Sequence, residues 1–174
     1  MEATLTVLGG SEEAWLDYSR IEVPHDLMAV NDIGMFCSSK HWYTNHGTRF
    51  PVFRQIRGFE NRGYQPAERY HTTSHIVLNE GSPNWVERWP VPPQGGSGLV
   101  AAQVGLLLGY ERVILAGIPC TYSGHFYGPR MFMEGKRGDL AGTLERLRDG
   151  VFQGRVRSVS GLSRQILGSP ADPW

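Results

Sequence analysis

The sequence has little that would mark a disulfide scaffold, a metal cluster or a membrane anchor. Its 174 residues include only two cysteines, Cys37 and Cys120. These are too few for a disulfide framework, and they lack metal-ligand spacing. An excess of charge of one sign is also missing. Seventeen basic residues balance seventeen acidic ones, so no global field draws the chain to nucleic acid or to anionic membranes. Arg54, Arg57, Arg62 and Arg69 leave room for a local basic patch but give no clear nucleic-acid signal. No basic segment followed by a long apolar run opens the chain, so a signal peptide is not expected and the expected location is the cytoplasm. The apolar run Leu99 to Leu108 is too short to span a bilayer. Repeats, linkers and low-complexity segments are absent, and the length fits one domain, 1–174, with a sound core. Glycine (22) and proline (11) are frequent, but five Trp and seven Tyr point to packing rather than disorder.

The stretch from Gly95 to Gly117 organises what is present. It reads as a Gly/Ser turn, a helix apolar on nearly every side from Leu99 to Leu108, a tight turn, and the apolar strand Val113-Ile114-Leu115-Ala116. A helix with so little polar surface must be covered on most sides. A strand without alternation is expected to be buried on both faces of a parallel sheet. The loop after Gly117 then lies at the carboxyl end of a central strand, where ligands bind in open α/β sheets.

Upstream, Thr4 to Leu8 reads as a strand followed by Gly9-Gly10-Ser11. Ser11 reads as a helix N-cap, with Glu12 and Glu13 in the first turn. A strand, a Gly-Gly-Ser turn and a helix form the architecture of a phosphate-binding turn, although Gly-Gly is equally a simple way to turn a chain. Asp26 to Val30 is a second strand. Its exit, Asn31-Asp32, is placed either to hydrogen-bond a ribose or base or to stop the strand in an Asx turn. His41 to His46 is a third strand and its exit. The five-residue spacing of His41 and His46 is not a metal motif, and no metal is expected. Phe50 to Ile56 suggests a short helix or docked loop, and Tyr70 to Leu78 a strand. Asn79 to Pro93 reads as a loop in which Trp85 and Trp89 pack onto the body. Gly128 to Gly138, with Arg130, Lys136 and Arg137, is either a flap over the site or a solvated loop. Helices are expected from Asp139, as N-cap, to Asp149 and from Ser160 to Leu167, with a strand over Arg155 to Val159 between them. The alternation implies an α/β, Rossmann-like, doubly wound, mainly parallel sheet with helices on both faces, in three layers.

Taken in order, three features form a pattern. They are Gly9 to Ser11, the strand ending Ala29-Val30-Asn31, and Ser97-Gly98-Leu99-Val100-Ala101 running on through Leu108-Gly109-Tyr110-Glu111-Arg112-Val113-Ile114-Leu115-Ala116-Gly117-Ile118. The pattern resembles the Rossmann-like superfamily that contains the Campylobacter-type bacterial sialyltransferases, and it is closer still to small phage and prophage proteins of that superfamily. Asn31-Asp32, Trp42-Tyr43-Thr44-Asn45-His46 and Gly124-His125-Phe126-Tyr127-Gly128 are similar to segments that recur in the phage proteins, the last in shortened form. The resemblance spans Leu5 to about Leu167.

It implies a nucleotide or nucleotide-sugar ligand and no other cofactor. By resemblance, Gly9, Gly10 and Ser11 face phosphate or ribose, and Asn31 contacts the nucleotide with Asp32 beside it. Ser97 and Gly98 lie by the phosphate and sugar, and Tyr122 and Tyr127 match the tyrosines that bind the departing phosphate. Three departures stand against it. Pro119 occupies the place of the family aspartate, no histidine follows His125 to match the family's general base, and the chain is shorter than the sialyltransferases.

Three functions remain open. The first is a small glycosyltransferase-like enzyme that works by direct displacement, with Tyr122 and Tyr127 steadying the phosphate and His125 as base. The second is a nucleotide-binding module without transfer chemistry. The third is a phage structural or interaction protein, to which Trp85 and Trp89 would contribute as exposed aromatics. Self-association is left open.

Overall fold

The computed structural model describes residues 3–59, 63–121 and 139–174. Among the described residues seven strands form one sheet in the order β5-β4-β3-β2-β1-β6-β7. They are β1 (Thr4–Leu8), β2 (Asp26–Val30), β3 (His41–Tyr43), β4 (Arg69–Thr73), β5 (Val86–Trp89), β6 (Arg112–Ala116) and β7 (Val156–Ser158). Every pairing is parallel. The helices are α1 (Ala14–Ser19), α2 (Phe50–Phe59), α3 (Ser97–Leu107), α4 (Leu140–Leu147) and α5 (Gly161–Leu167).

The period-2 geometry of a strand sends alternate side chains to opposite faces, and here both faces are covered. Leu5, Val7, Met28, Val30, Val113 and Leu115 meet α3, with Leu144 and Leu147 of α4 and Leu167 of α5 in the same core. Leu8, Ala29, Trp42, Tyr70, Val86 and Ala116 meet Ala14 of α1 and Phe50 and Phe53 of α2 in the other. The result is the three-layer Rossmann-like arrangement that the sequence implied. Its second core is built around an aromatic group, Trp42, Phe50, Phe53 and Tyr70. Trp42 stacks on Phe53 with ring centroids 5.8 Å apart, and Phe50 and Trp85 each meet Tyr70 edge-on.

Chain order reverses between β1 and β6. From β1 the sheet runs outward through β2 to β5 on one side, and through β6 and β7 on the other. This reversal opens a crevice at the carboxyl ends of β1 and β6. Helix α3 is buried from Leu99 to Leu106 and crosses behind the crevice. Gly105 brings it against Leu5, where an added Cβ would lie 2.5 Å from the leucine side chain.

Several local expectations are corrected. Asn79 to Pro93 is not simply a loop, because Val86 to Trp89 pairs with Tyr70 to Thr73 as β5. Trp89 is part of that strand, partly buried against the first core. β4 ends at Thr73 rather than continuing to Leu78. Val77 and Leu78 instead sit in an exposed 3-10 turn, Val77–Gly81. Ser11 does not cap α1, which begins at Ala14. Asp139 does cap α4, its carboxylate accepting from the Gly142 N–H at 2.7 Å.

A chain of hydrogen bonds ties the edge strands to the centre on the α3 face of the sheet. The Trp89 indole N–H donates to His71 Nδ1 (3.1 Å), His71 Nε2 meets His41 Nδ1 (2.9 Å), and His41 Nε2 meets the Tyr110 hydroxyl (3.0 Å). The Tyr110 hydroxyl donates to Asp26 Oδ2 (2.6 Å), which also holds Lys40. An indole only donates and a carboxylate only accepts, so the ends of the chain fix its direction. Each imidazole must then be neutral with its proton on Nε2. Burial lowers both pKa values, that of His41 to about 4, and nearby Arg69 and Lys40 oppose its protonation while Asp26 and Glu87 favour it.

The unfolded chain takes up a proton near pH 6.5 at each of these histidines, whereas the fold does not until lower pH. Stability is therefore full above that pH and falls as the pH drops toward 4, by at most about 1.4 kcal/mol per pH unit for each imidazole. Urea unfolding at pH 7 and pH 4.5 is expected to show this loss, with a shallower slope in His41→Gln. An identical slope in the variant would place the acid sensitivity elsewhere.

Candidate functional site at the carboxyl edge

β1 leads straight into Gly9-Gly10-Ser11, which runs against the end of β6. The Gly9 N–H donates to Ala116 O (2.8 Å) and the Ser11 N–H to Gly117 O (3.3 Å). Two of the turn's three N–H groups are thus engaged by the end of β6, and the turn makes a close backbone approach to that exit rather than a ring of free donors. That closeness requires glycine. A Cβ on Gly9 would stand 2.5 Å from both Gly117 O and Ile118 Cγ1, and one on Gly98 would stand 2.7 Å from Ile118 Cδ1. The two glycine segments singled out in the sequence therefore meet across one side chain, Ile118, at the crevice. The Ser97 and Gly98 N–H groups at the start of α3 have no partner among the described residues. An eleven-residue helix directs its positive end here.

Asn31 closes β2 in the left-handed region, at φ 56°, a conformation that Asn tolerates better than other non-glycine residues. Its carbonyl accepts from the Trp42 indole (2.6 Å) and its Oδ1 from the Thr44 hydroxyl (2.9 Å). Thr44 Oγ1 in turn accepts from the His46 N–H (3.2 Å), so its hydroxyl proton is directed at Asn31. Asn45 is arranged alike, its Oδ1 accepting from the Tyr43 hydroxyl at 2.6 Å. Both carboxamides have their oxygen engaged by a hydroxyl, while their NH₂ groups have no partner among the described residues. At the carboxyl ends of β2 and β3 the protein thus offers donors suited to acceptor atoms such as those of a phosphate, a sugar or a pyrimidine carbonyl. Asp32 follows Asn31 in the 3-10 turn Asn31–Met35.

Three site features escaped the sequence reading. Asp17 on α1 is 1% exposed; its Oδ2 accepts from the Gly117 N–H (2.9 Å) and from the Ser160 hydroxyl (2.5 Å). Ser163 of α5 donates to Ile118 O at 2.7 Å. Together they hold the Gly117-Ile118 exit of β6 from below. Asn79 does the same for the loop after β3. None of the three lies in a motif, and only Asp17, between Leu16 and Tyr18, stands out in the sequence as a polar residue among apolar neighbours.

Tyr122, His125 and Tyr127, and the candidate flap from Gly128 to Gly138, lie outside the described residues. Among the described residues no group of three or more His, Cys, Asp or Glu side chains is arranged to hold a metal, and no helix is long and apolar enough to cross a membrane. A separate cleft of about 810 Å³ opens at the opposite edge of the sheet, lined by Arg20, His25, Asp26, Tyr110, Arg112 and Trp174 among others. Of its acidic residues, Asp26 is already engaged, held by Lys40 and Tyr110 below the usual carboxylate range. The converging glycines and open amide donors are at the carboxyl edge instead.

No protein-family model matches the chain, and no curated protein matches it. Solved structures do. The sialyltransferase CstII from Campylobacter jejuni, in complex with the substrate analogue CMP-3FNeuAc, is similar over 97% of this chain and 86% of its own, at 14% identity and a TM-score of 0.67. The two chains share a fold at low identity. CST-II with trisaccharide acceptor and CMP matches over 95% of this chain and 85% of its own, at 13% identity and a TM-score of 0.66. The monofunctional α-2,3-sialyltransferase Cst-I from Campylobacter jejuni matches over 98% and 80%, at 13% identity and 0.61. Identities this low show likeness of fold alone and leave the chemistry to the residues themselves.

Proposed function

We propose that the carboxyl edge binds a nucleotide or nucleotide sugar, and that the protein is a glycosyltransferase-like enzyme acting on it by direct displacement. The observation that carries this reading is the meeting of Gly9 and Gly98 on Ile118 beside the free N–H groups of Ser97 and Gly98. An anionic group suits that position because the start of α3 attracts it, while the missing side chains let Ile118 close the β1 turn against the helix. Gly10, Ser11 and Asp32 border it, and the amide donors of Asn31 and Asn45 serve the remaining acceptors of the nucleotide. In support, two similar structures were solved with CMP or a CMP-sugar analogue.

In the proposed reaction an acceptor hydroxyl attacks the sugar carbon as its bond to the phosphate oxygen breaks. Tyr122 and Tyr127 steady the departing phosphate and His125 takes the hydroxyl proton. A module that binds nucleotide without transfer is the second reading, favoured by the absence of any histidine beyond His125.

A thermal-shift series with CMP, UMP, AMP, GMP and a CMP-sugar tests the binding. Ligand at about 100 times its Kd is expected to add about 2.7 kcal/mol of stability. Release of CMP from the CMP-sugar, abolished in His125→Ala, separates the enzyme from the binding module. No shift with any of them at millimolar concentration would remove both readings.

A further inference from the structure

The loop after β3, in which Thr44 and Gly47 are buried, is held by a dense set of hydrogen bonds. Thr44 N–H donates to His71 O (3.1 Å), and Thr44 O accepts from the Thr72 hydroxyl (2.7 Å). The remaining restraints come mainly from one side chain. Asn79, 1% exposed, lies in the 3-10 turn that follows β4. Its Oδ1 accepts from the Gly47 N–H at 2.8 Å. Its NH₂ group donates to Asn45 O (2.8 Å), Thr72 Oγ1 (2.9 Å) and Thr73 O (2.8 Å), two protons shared among three acceptors. Gly47 has no room for a side chain at this point, because an added Cβ would meet Ser82 Oγ and Thr72 Cγ2. Asn79 therefore grips the loop at both ends of the Asn45-His46-Gly47 tip, and its own carboxamide is saturated. What the grip leaves facing outward is the NH₂ group of Asn45 and, through the His46 N–H, Thr44 and Asn31 relay, the NH₂ group of Asn31.

A buried, saturated side chain that orients a pair of donors is the arrangement by which a binding site is preorganised. Resting on the nucleotide reading above, we propose that Asn79 is a positioning residue. It makes no contact with ligand but fixes the loop Thr44 to Gly47 so that Asn31 and Asn45 present their amide donors in the geometry the ligand requires. The buried carboxamide contributes to affinity by removing the need to order this loop on binding.

Asn79→Asp keeps the size and the acceptor for Gly47 but replaces the donor with a second acceptor facing two carbonyls and a hydroxyl. Two measurements test the proposal. Hydrogen exchange of the free protein is expected to show the His46 and Gly47 amides losing protection while those of α3 keep theirs. Calorimetric titration with CMP is expected to show affinity reduced about tenfold or more, the equivalent of one or more well-formed hydrogen bonds. Val156→Ala, a core truncation in β7 at the far edge of the sheet, controls for general destabilisation and is expected to leave CMP affinity unchanged. A loosened loop with undiminished CMP affinity in Asn79→Asp would overturn the positioning role while leaving the nucleotide reading intact, and so would an unloosened loop. If the unaltered protein bound none of CMP, UMP, AMP, GMP and the CMP-sugar, the nucleotide reading itself would fall and take this role with it.

Discussion

Asp17→Ala is expected to lower stability by about 2–4 kcal/mol, the range for stranding buried hydrogen-bonding partners around a removed carboxylate. Asp17 sits under the switch between β1 and β6, where its Oδ2 joins the Gly117 N–H to the Ser160 hydroxyl. Removing it leaves a buried peptide N–H without a partner and removes one tie at the start of α5, that of the Ser160 hydroxyl, while Ser163 still holds Ile118 O. Gly117 has little other freedom. Its φ is +62°, and a Cβ there would meet Gly9 O at 2.6 Å and Ala14 Cβ at 2.8 Å. The loop after β6 is therefore expected to loosen as a unit with the Gly9 turn. The expected fall in Tm is about 5–10 °C for a chain of this length, and nucleotide affinity is expected to fall with it. Asp17→Asn is the informative companion, since it keeps an oxygen for Gly117 and is expected to recover much of the loss. Unfolding curves for the two variants check this. Equal stability of Asp17→Ala and the unaltered protein would show that the buried carboxylate does not tie these elements together.

Ser97→Trp is expected to abolish nucleotide binding, by at least about 100-fold in Kd, or some 2.7 kcal/mol, while leaving the fold in place. Ser97 is the first residue of α3 and is partly exposed, whereas the buried stretch of the helix starts at Leu99. An indole there fills the space in front of the free Ser97 and Gly98 N–H groups without entering either core. The far-ultraviolet circular dichroism and Tm are expected to remain close to those of the unaltered protein. Normal CMP binding by a folded Ser97→Trp variant would move the anion site away from α3.

The parts of this architecture that the sequence shows are those where one physical demand dominates locally. β2 and β6 are buried on both faces, and the apolar runs Leu27 to Val30 and Val113 to Ala116 say so without help from neighbours, while β1 buries Thr4 and Thr6 on one face. The helix from Leu99 is apolar all round because α3 is covered all round. β5 was hidden because Val86-Glu87-Arg88-Trp89 carries two charges and follows a proline-containing turn. Its strand character comes from pairing with β4 and from the Arg69–Glu87 ion pair across that ladder, a tertiary effect that propensity does not contain. Val77 and Leu78 misled in the other direction, since two apolar residues extended the apparent strand although both are exposed. The same contrast holds at the site. Gly9 and Gly98 are legible because close backbone approach demands glycine just after a strand or at a helix start. Asp17 and Asn79 are not, because what gives each its role lies 100 and 32 residues away.

The central claim is that the ligand sits at the carboxyl edge of the sheet, where the β1 turn and the start of α3 meet on Ile118. Titrating CMP into isotopically labelled protein and mapping the amide chemical-shift changes tests it most directly. The account predicts saturable shifts at Gly9 to Ser11, Asn31, Asn45, Ser97 and Gly98. Shifts confined to Arg20, His25, Arg112 and Trp174, in the cleft at the opposite edge, would contradict it.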